Sequence, residues 1–314
     1  MRAPPMYRNV ISTLKTETAF FLFAALLAVL ATRASTLSIE PSATMVLLLG
    51  FAVALIGFPH GGLDGWLAQR SGLVRGVREL MLFHLAYILV AVAVAMLWLW
   101  QPALTLAAFI AISAWHFSGD WSALKSTQRG LVGVALLALP AWQWEASVSI
   151  VFEALAGAGG LQLAHALGVL GPVWALVMLF AIWRLRQQPT TVLELSGLTV
   201  LALLTPPLLF FAVYFCALHS PRQLRCSLAM AARAQRRRLF VLATVYATLA
   251  AVFVLAAGFA LMTVGESPQA WLRRLDADQG LQLLFIGLAA LTVPHMGVAW
   301  LATRRTGKSY EATT

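Results

Sequence analysis

The sequence predicts an all-α protein, a polytopic transmembrane bundle of about eight to ten helices, and three observations predict it. The first is composition: the 314 residues are 61% hydrophobic, only 11% are charged, and the mean hydropathy is +0.82. A soluble domain carries about 25% charged residues, so one water-soluble core cannot hide this much apolar surface. The second is a series of apolar runs long enough to cross about 30 Å of hydrocarbon. The third is the placement of basic residues in the short loops between those runs.

The apolar runs give the order of the predicted helices. They lie near 17–37, 43–59, 79–100, 102–118, 129–142, 161–183, 191–205, 207–220, 239–262 and 281–301. Pro206 and Pro207 divide the pair 191–205 and 207–220, although a single kinked helix also fits that pair. Gly157-Ala158-Gly159-Gly160 predicts a loop. No soluble appendage interrupts the pattern, so residues 1–314 are predicted to form one integral membrane domain.

Charge predicts the orientation of the bundle. The loop after His219 is rich in arginine, and the positive-inside rule places it in the cytoplasm. The other basic loops and the tail with Lys308 agree only if Pro206-Pro207 separates two passes. That arrangement gives about ten helices in the cell (inner) membrane with both termini cytoplasmic. The basic start and the apolar stretch 19–31 also fit a signal peptide, but further spans follow at once and favour a first membrane helix.

The net charge of +10 is therefore explained by topology. Membrane lipid is the predicted surrounding of this chain, and nucleic acid is not a predicted partner.

Histidines are the main candidates for chemistry. An ionisable side chain in a membrane span is costly and marks a functional site, although a single histidine is more often a hydrogen-bonded packing residue. On the ten-helix topology, four histidines reach the same depth on the cytoplasmic side: His60, His116, His219 and His295. His84 opens the third helix on that side, and His165 lies on the opposite side. Because imidazole is the commonest protein ligand for iron, zinc and copper, the four predict a metal site.

A carboxylate follows two of these histidines by four residues. Asp64 follows His60, and Asp120 follows His116. Such a carboxylate either holds a ligand imidazole in place or binds the metal itself, and two solvated loop carboxylates are an equally good interpretation. Arg222, after His219, is better explained by the positive-inside rule than by a catalytic role.

Aromatic residues flank the same histidines. Phe58, Trp115, Phe117 and Tyr214 would line a long apolar pocket, although packing is the commoner role for any one of them.

Four segments resemble a known family. They are Phe-Pro-His-Gly-Gly-Leu-Asp (58–64), Trp-His-Phe (115–117), Tyr-Phe-Cys-Ala-Leu-His-Ser-Pro-Arg (214–222) and Ile-Gly-Leu-Ala-Ala-Leu-Thr-Val-Pro-His-Met (286–296). In this order they resemble the Brp/Blh family of bacterial and archaeal membrane-bound β-carotene 15,15'-dioxygenases, which occur alongside microbial rhodopsins. The resemblance covers residues 45–300.

The resemblance implies an activity and a ligand set. It implies cleavage of β-carotene at the central double bond by O2, giving two molecules of all-trans retinal, with ferrous iron, Fe(2+), as cofactor. The implied metal ligands are His60, His116 and His219, with His295 as fourth candidate. Some family members carry a further histidine where this chain has Gln223, so the fourth ligand is His295 or the site differs. A rhodopsin is then a candidate acceptor of the retinal.

Two other classes of function remain as alternatives. A lipid desaturase or hydroxylase usually carries closely spaced histidine boxes, which this chain lacks. A transporter or metal permease predicts polar residues deep in the spans, and Glu194 is the main candidate for one.

Overall fold

The structure, a computed structural model, describes residues 5–34, 41–262 and 276–306, with side chains from 17 onward in the first range and up to 256 in the second. The helices in these ranges are α1 (Pro5–Ala34), α2 (Ala43–Ala52), α3 (Asp64–Arg70), α4 (Val77–Trp100), α5 (Pro102–Ser118), α6 (Ser126–Gln143), α7 (Glu145–Val169), α8 (Gly171–Arg184), α9 (Pro189–Leu204), α10 (Pro207–Tyr214), α11 (Ser220–Ala229), α12 (Arg236–Met262) and α13 (Ala277–Thr306). No strand occurs in the described ranges. The tail with Lys308 and residues 1–4 lie outside them.

The prediction of an all-α transmembrane bundle is confirmed. Seven helical stretches of the described chain are long and apolar enough to cross a membrane: 17–34, 43–70, 77–100, 102–121, 145–169, 233–256 and 277–306. Many large apolar side chains point outward, for example Leu89 at 59% exposure and Met81 at 68%. Exposed apolar surface on this scale needs hydrocarbon as its solvent, so the chain is a multi-pass membrane protein.

The helix α7 is long enough to span, but it is folded into a hairpin. Its backbone leaves helical geometry at Ala156 and Gly157, where φ is +58° at the glycine. His165 Nδ1 lies 2.9 Å from Glu145 Oε1, whereas twenty residues of straight helix would separate them by about 30 Å. The predicted glycine loop is therefore the turn of this hairpin, and positive φ explains why glycine stands at its corner.

Two sequence predictions about helix breaks have different outcomes. Pro206 and Pro207 do separate two helices, because α9 ends at Leu204 and α10 begins at Pro207. The single helix predicted over 161–183 is wrong. The chain breaks at Leu170, and Pro172 stands in the first turn of α8. Gly171 packs against the Trp142 ring without room for a Cβ atom.

Two helical segments contain a π-helical turn close to a histidine. The segment 43–70 passes from α2 through the π turn Val53–Gly57 and the 3-10 turn Phe58–Leu63 into α3. The segment 207–229 passes from α10 through the π turn Phe215–His219 into α11. Single π turns inside helices are frequent at functional sites, and these two place His60 and His219.

The helix α13 runs parallel to the segment 43–70. Gly280 lies against Val46, Gly61 against His295 and Gly72 against Arg305, in matching order along both. This alignment brings His295 to the level of His60.

Candidate metal centre

The π turns orient two imidazoles. His60 Nδ1 lies 2.5 Å from the Gly57 carbonyl and 3.0 Å from Ser220 Oγ. Because a carbonyl oxygen only accepts, His60 Nδ1 carries the proton and Nε2 presents its lone pair. His219 follows the same logic, since its Nδ1 donates to Asp120 Oδ2 at 3.0 Å. The two turns also pack together, because Gly57 leaves no room for a Cβ beside the Phe215 ring.

Three histidines from separate segments converge. One ring nitrogen from each of His60, His116 and His219 lies within 4.8 Å of the others, and His116 Nε2 is 3.1 Å from His219 Nε2. Nitrogen ligands held about 2.1 Å from one ion at a right angle are about 3.0 Å apart. The lone pair on His219 Nε2 faces His116 Nε2 in a buried site, where a metal ion could take the place of a proton between the two nitrogens. The donor set therefore fits a metal ion.

Asp120 holds His219 in place. Its Oδ2 also accepts a hydrogen bond from the Tyr214 hydroxyl at 2.8 Å, and its Oδ1 accepts one from Gln223 Nε2 at 3.3 Å. The carboxylate is fully buried, so the interpretation as a solvated loop residue is wrong for Asp120. Gln223 stands where some members of the resembling family carry a further histidine. Here its side chain contacts the Asp120 carboxylate and adds no ring nitrogen to the cluster.

Asp64 does the same for His295. His295 Nδ1 lies 2.8 Å and 3.0 Å from the two carboxylate oxygens, and the Tyr87 hydroxyl is 3.0 Å from Oδ2. The His295 ring centroid is 5.1 Å from that of His60 and 5.5 Å from that of His116. His295 therefore borders the three-histidine cluster, and Asp64 is buried rather than solvated.

The two carboxylates are paired crosswise relative to the sequence. Asp64 follows His60 but binds His295, while Asp120 follows His116 but binds His219. The spacing of four residues indicated that carboxylates stand near the histidines. The spacing did not indicate which histidine each carboxylate binds, because that depends on which helices are neighbours.

A cavity of about 510 Å³ adjoins the cluster. His60, His116 and His295 form part of its wall, together with Asp64 and Tyr214, and the remainder is almost entirely apolar. The hairpin α7 lines it with Val148, Val151, Phe152 and Leu155. Trp98 Nε1 and Gln282 Nε2 donate to the hairpin carbonyls of Leu155 and Ala154 and fix the hairpin in place. The combination is an apolar chamber with imidazoles in its wall.

Comparison with known proteins identifies the family. The family described as "Beta-carotene 15,15'-dioxygenase" matches residues 51–302. The chain belongs to this family. A curated relative named "Beta-carotene 15,15'-dioxygenase", from the uncultured marine bacterium 66A03, is 29% identical over 253 residues, covering 78% of this chain and 89% of the relative. No solved structure gives a significant match.

The matched region contains all four histidines of the dioxygenase-family resemblance and begins inside the segment 43–70. The helix α1 lies before it. Its Thr18 nevertheless donates a hydrogen bond to Glu194, a buried residue of α9.

Arg222 differs from its sequence interpretation. It is 1% exposed, its Nη2 lies 2.6 Å from Glu194 Oε1, and its Nη1 lies 3.4 Å from the Asp120 carbonyl. The interpretation as a loop cation is wrong, because α11 continues the helix past His219 and turns this side chain inward. Glu194 also accepts a hydrogen bond from Thr18 at 2.7 Å. In this member of the dioxygenase family, Glu194 therefore compensates a buried arginine.

The flanking aromatic residues divide into two groups. Phe58, Phe117 and Tyr214 line the cavity, and the Phe117 ring centroid is 4.8 Å from that of His219. Trp115, predicted with them, is 53% exposed on the outward face of α5 and does not line the cavity. Helix geometry explains the difference, because neighbouring residues of a helix point about 100° apart.

The two remaining histidines lie outside the cluster. His84 lines the cavity, and its ring stacks on Tyr246 with centroids 5.5 Å apart. His165 is exposed and pairs with Glu145 at the base of the hairpin.

Proposed function

We propose that this chain cleaves β-carotene at its central 15,15' double bond with O2 and releases two molecules of all-trans retinal. The observation that carries the proposal is a group of three imidazoles, two of which line an apolar cavity, in a chain of the β-carotene 15,15'-dioxygenase family. A polyene is wholly apolar and dissolves in the bilayer, so a chamber of this kind suits it.

The reaction balances without further reagents. One carbon–carbon double bond and one O2 are consumed, and each oxygen atom ends in one aldehyde. We assign His60, His116 and His219 as ligands of ferrous iron, with His295 as the fourth. When bound, iron would supply an open position at which O2 is activated.

The protein side chains have separate tasks in this proposal. Asp120 and Asp64 fix the ring orientation and tautomer of His219 and His295, as carboxylates beside metal-bound imidazoles generally do. Phe58 and Phe117 hold the polyene beside the histidines. No proton is transferred in the balanced reaction, so no general acid or base is assigned.

We further propose the cell (inner) membrane as the location, with both termini cytoplasmic and about ten passes. In this topology α7 is a hairpin rather than a pass, and the shorter helices α6, α8, α9 and α10–α11 complete the count. A rhodopsin remains a candidate acceptor of the retinal.

The test is product analysis in cells that accumulate β-carotene. We expect the chain to bleach the pigment and yield retinal, and His60→Ala, His116→Ala, His219→Ala and His295→Ala to lose activity and bound iron. His165→Ala is the matched control, because His165 is exposed and far from the cluster. Persistence of the pigment with iron and oxygen present would refute the activity, and a cluster variant with full iron occupancy would refute that ligand.

A further inference from the structure

The cavity has one side on which its lining is open to the outside of the bundle. Three lining residues are strongly exposed: Ile88 at 45%, Leu249 at 59% and Phe253 at 45%. All three are on α4 and α12. Every other lining residue that the structure describes is buried or half-buried. A side chain that both lines a cavity and is exposed marks its mouth.

The mouth begins about one helical turn from the level of the histidines. On α4, Tyr87 binds Asp64, and Ile88 is the next residue. On the segment 43–70, Gly65 lies against His84, one turn from Gly61 against His295. Ile88 is therefore about one helical turn from the level of the cluster, since four residues rise about 6 Å. On α12, Leu249 and Phe253 follow Tyr246, the partner of His84, by three and seven residues, so the mouth extends about 5 to 10 Å beyond that level. A molecule that enters at the Ile88 end would reach the imidazoles after about one helical turn.

The mouth faces lipid rather than cytoplasm. On the cytoplasm-predicted side, the turn Phe58–Leu63 seals the bundle against α12, because Gly62 touches the Ala243 carbonyl with no room for a Cβ atom. The surface of α4 and α12 around the mouth is apolar, with Leu85, Leu89, Val245 and Val252 all more than 45% exposed. The stacked rings of His84 and Tyr246 join the two helices beside the opening.

We propose that the gap between α4 and α12 is a lateral portal through which a long apolar polyene passes from the bilayer to the histidines. This inference rests on the proposed function for the identity of the polyene, but the route itself is a property of the cavity. The exposed side chains at the mouth are hydrocarbon, so the occupant is a hydrocarbon chain rather than a polar metabolite. The half-buried Ala250 lies on the α12 side of the mouth.

The test compares a substitution that narrows the mouth with a control substitution on the same helix. Ala250→Trp places an indole in the opening, while Ala256→Trp makes the same change at an exposed position that does not line the cavity. Each full-length variant is embedded in vesicles loaded with β-carotene. We expect Ala250→Trp to slow retinal formation at least about tenfold, the scale of an overpacked site, and Ala256→Trp to match the wild type.

A second readout does not need cleavage. Protein treated with a chelator is mixed with β-carotene vesicles, and the bound pigment is measured by absorbance after purification. We expect slower pigment uptake by Ala250→Trp than by Ala256→Trp, and faster uptake by the widened variant Leu249→Ala. Because Leu249 is exposed, this truncation keeps the fold intact.

The outcomes separate the two proposals. Equal uptake by Ala250→Trp and Ala256→Trp overturns the portal, whatever the activity. Pigment uptake that depends on position 250 in a protein that makes no retinal supports the portal and refutes the proposed function.

Discussion

The two carboxylate–imidazole pairs use the same contact in different surroundings. Both side chains of Asp120–His219 are fully buried, and three donors converge on the carboxylate. In Asp64–His295 the side chains are 6% and 15% exposed and line the cavity, and two donors, His295 and Tyr87, contact the carboxylate. A fully buried pair has no water to replace a lost partner, whereas a pair on a cavity wall can recruit one.

One pair is therefore anchored in the bundle, and the other borders the cavity. The Asp120 pair has a further layer behind it, formed by the Arg222–Glu194 ion pair at 2.6 Å. The side chains of this ion pair are 1% and 2% exposed. Substitutions that weaken the ion pair, the carboxylates and the tyrosines in turn test this contrast.

Removing the buried counter-charge should have the largest effect. Glu194→Ala leaves the Arg222 guanidinium buried without its carboxylate, which costs about 3–5 kcal/mol of stability. Thermal unfolding in detergent would measure the loss. Glu17→Ala is the control, because Glu17 pairs with Arg225 at a partly exposed site, and we expect about 1 kcal/mol or less there. Equal losses for the two variants would contradict the anchoring role of Glu194.

Neutralising the two carboxylates should have the next largest effect, and an unequal one. Asp120→Asn keeps the shape but removes the charge that holds His219, so we expect iron affinity to fall by about 10–100-fold. For Asp64→Asn we expect a loss of iron affinity at the low end of that range, because water from the cavity side can bind His295. Iron titration of the purified variants measures both. A larger loss for Asp64→Asn would reverse the assignment of anchor and border.

Removing the two tyrosine hydroxyls should have the smallest effect. Tyr214→Phe deletes one donor to a carboxylate without water and should lower stability by about 1–2 kcal/mol. Tyr87→Phe deletes the equivalent donor beside the cavity and should cost about half as much. Thermal unfolding with iron bound compares the pair directly, and identical shifts would show that the surroundings of the two carboxylates do not matter.

The features that depend on composition and helix periodicity were predictable from the sequence. The all-α class follows from the apolar runs, and the common depth of His60, His116, His219 and His295 follows from counting passes and basic loops. The Pro206-Pro207 break follows from the chemistry of proline. Each of these depends on local sequence, which a single chain displays directly.

The features that depend on helix neighbours were not predictable. The crossed partners of Asp64 and Asp120, the outward side of Trp115 and the burial of Arg222 all depend on which face of one helix meets another. The hairpin of α7 was visible only as a glycine loop, because nothing local says that residues 145 and 165 meet. Glu194 was noted as a polar residue in a span, but its arginine partner lies 28 residues further along the chain.

Because of the two π turns, the direction in which His60 and His219 point depends on how many residues each turn contains. A π turn holds an extra residue compared with an α-helical turn, and each residue of an α-helix adds about 100° of rotation. Deleting one residue within 53–57 would restore the regular helix and swing everything beyond it by about that angle. His60 would then face a different quadrant while every side chain type stayed the same. The geometry of the histidine cluster is therefore encoded partly as a phase offset along the helix, which substitutions alone do not alter.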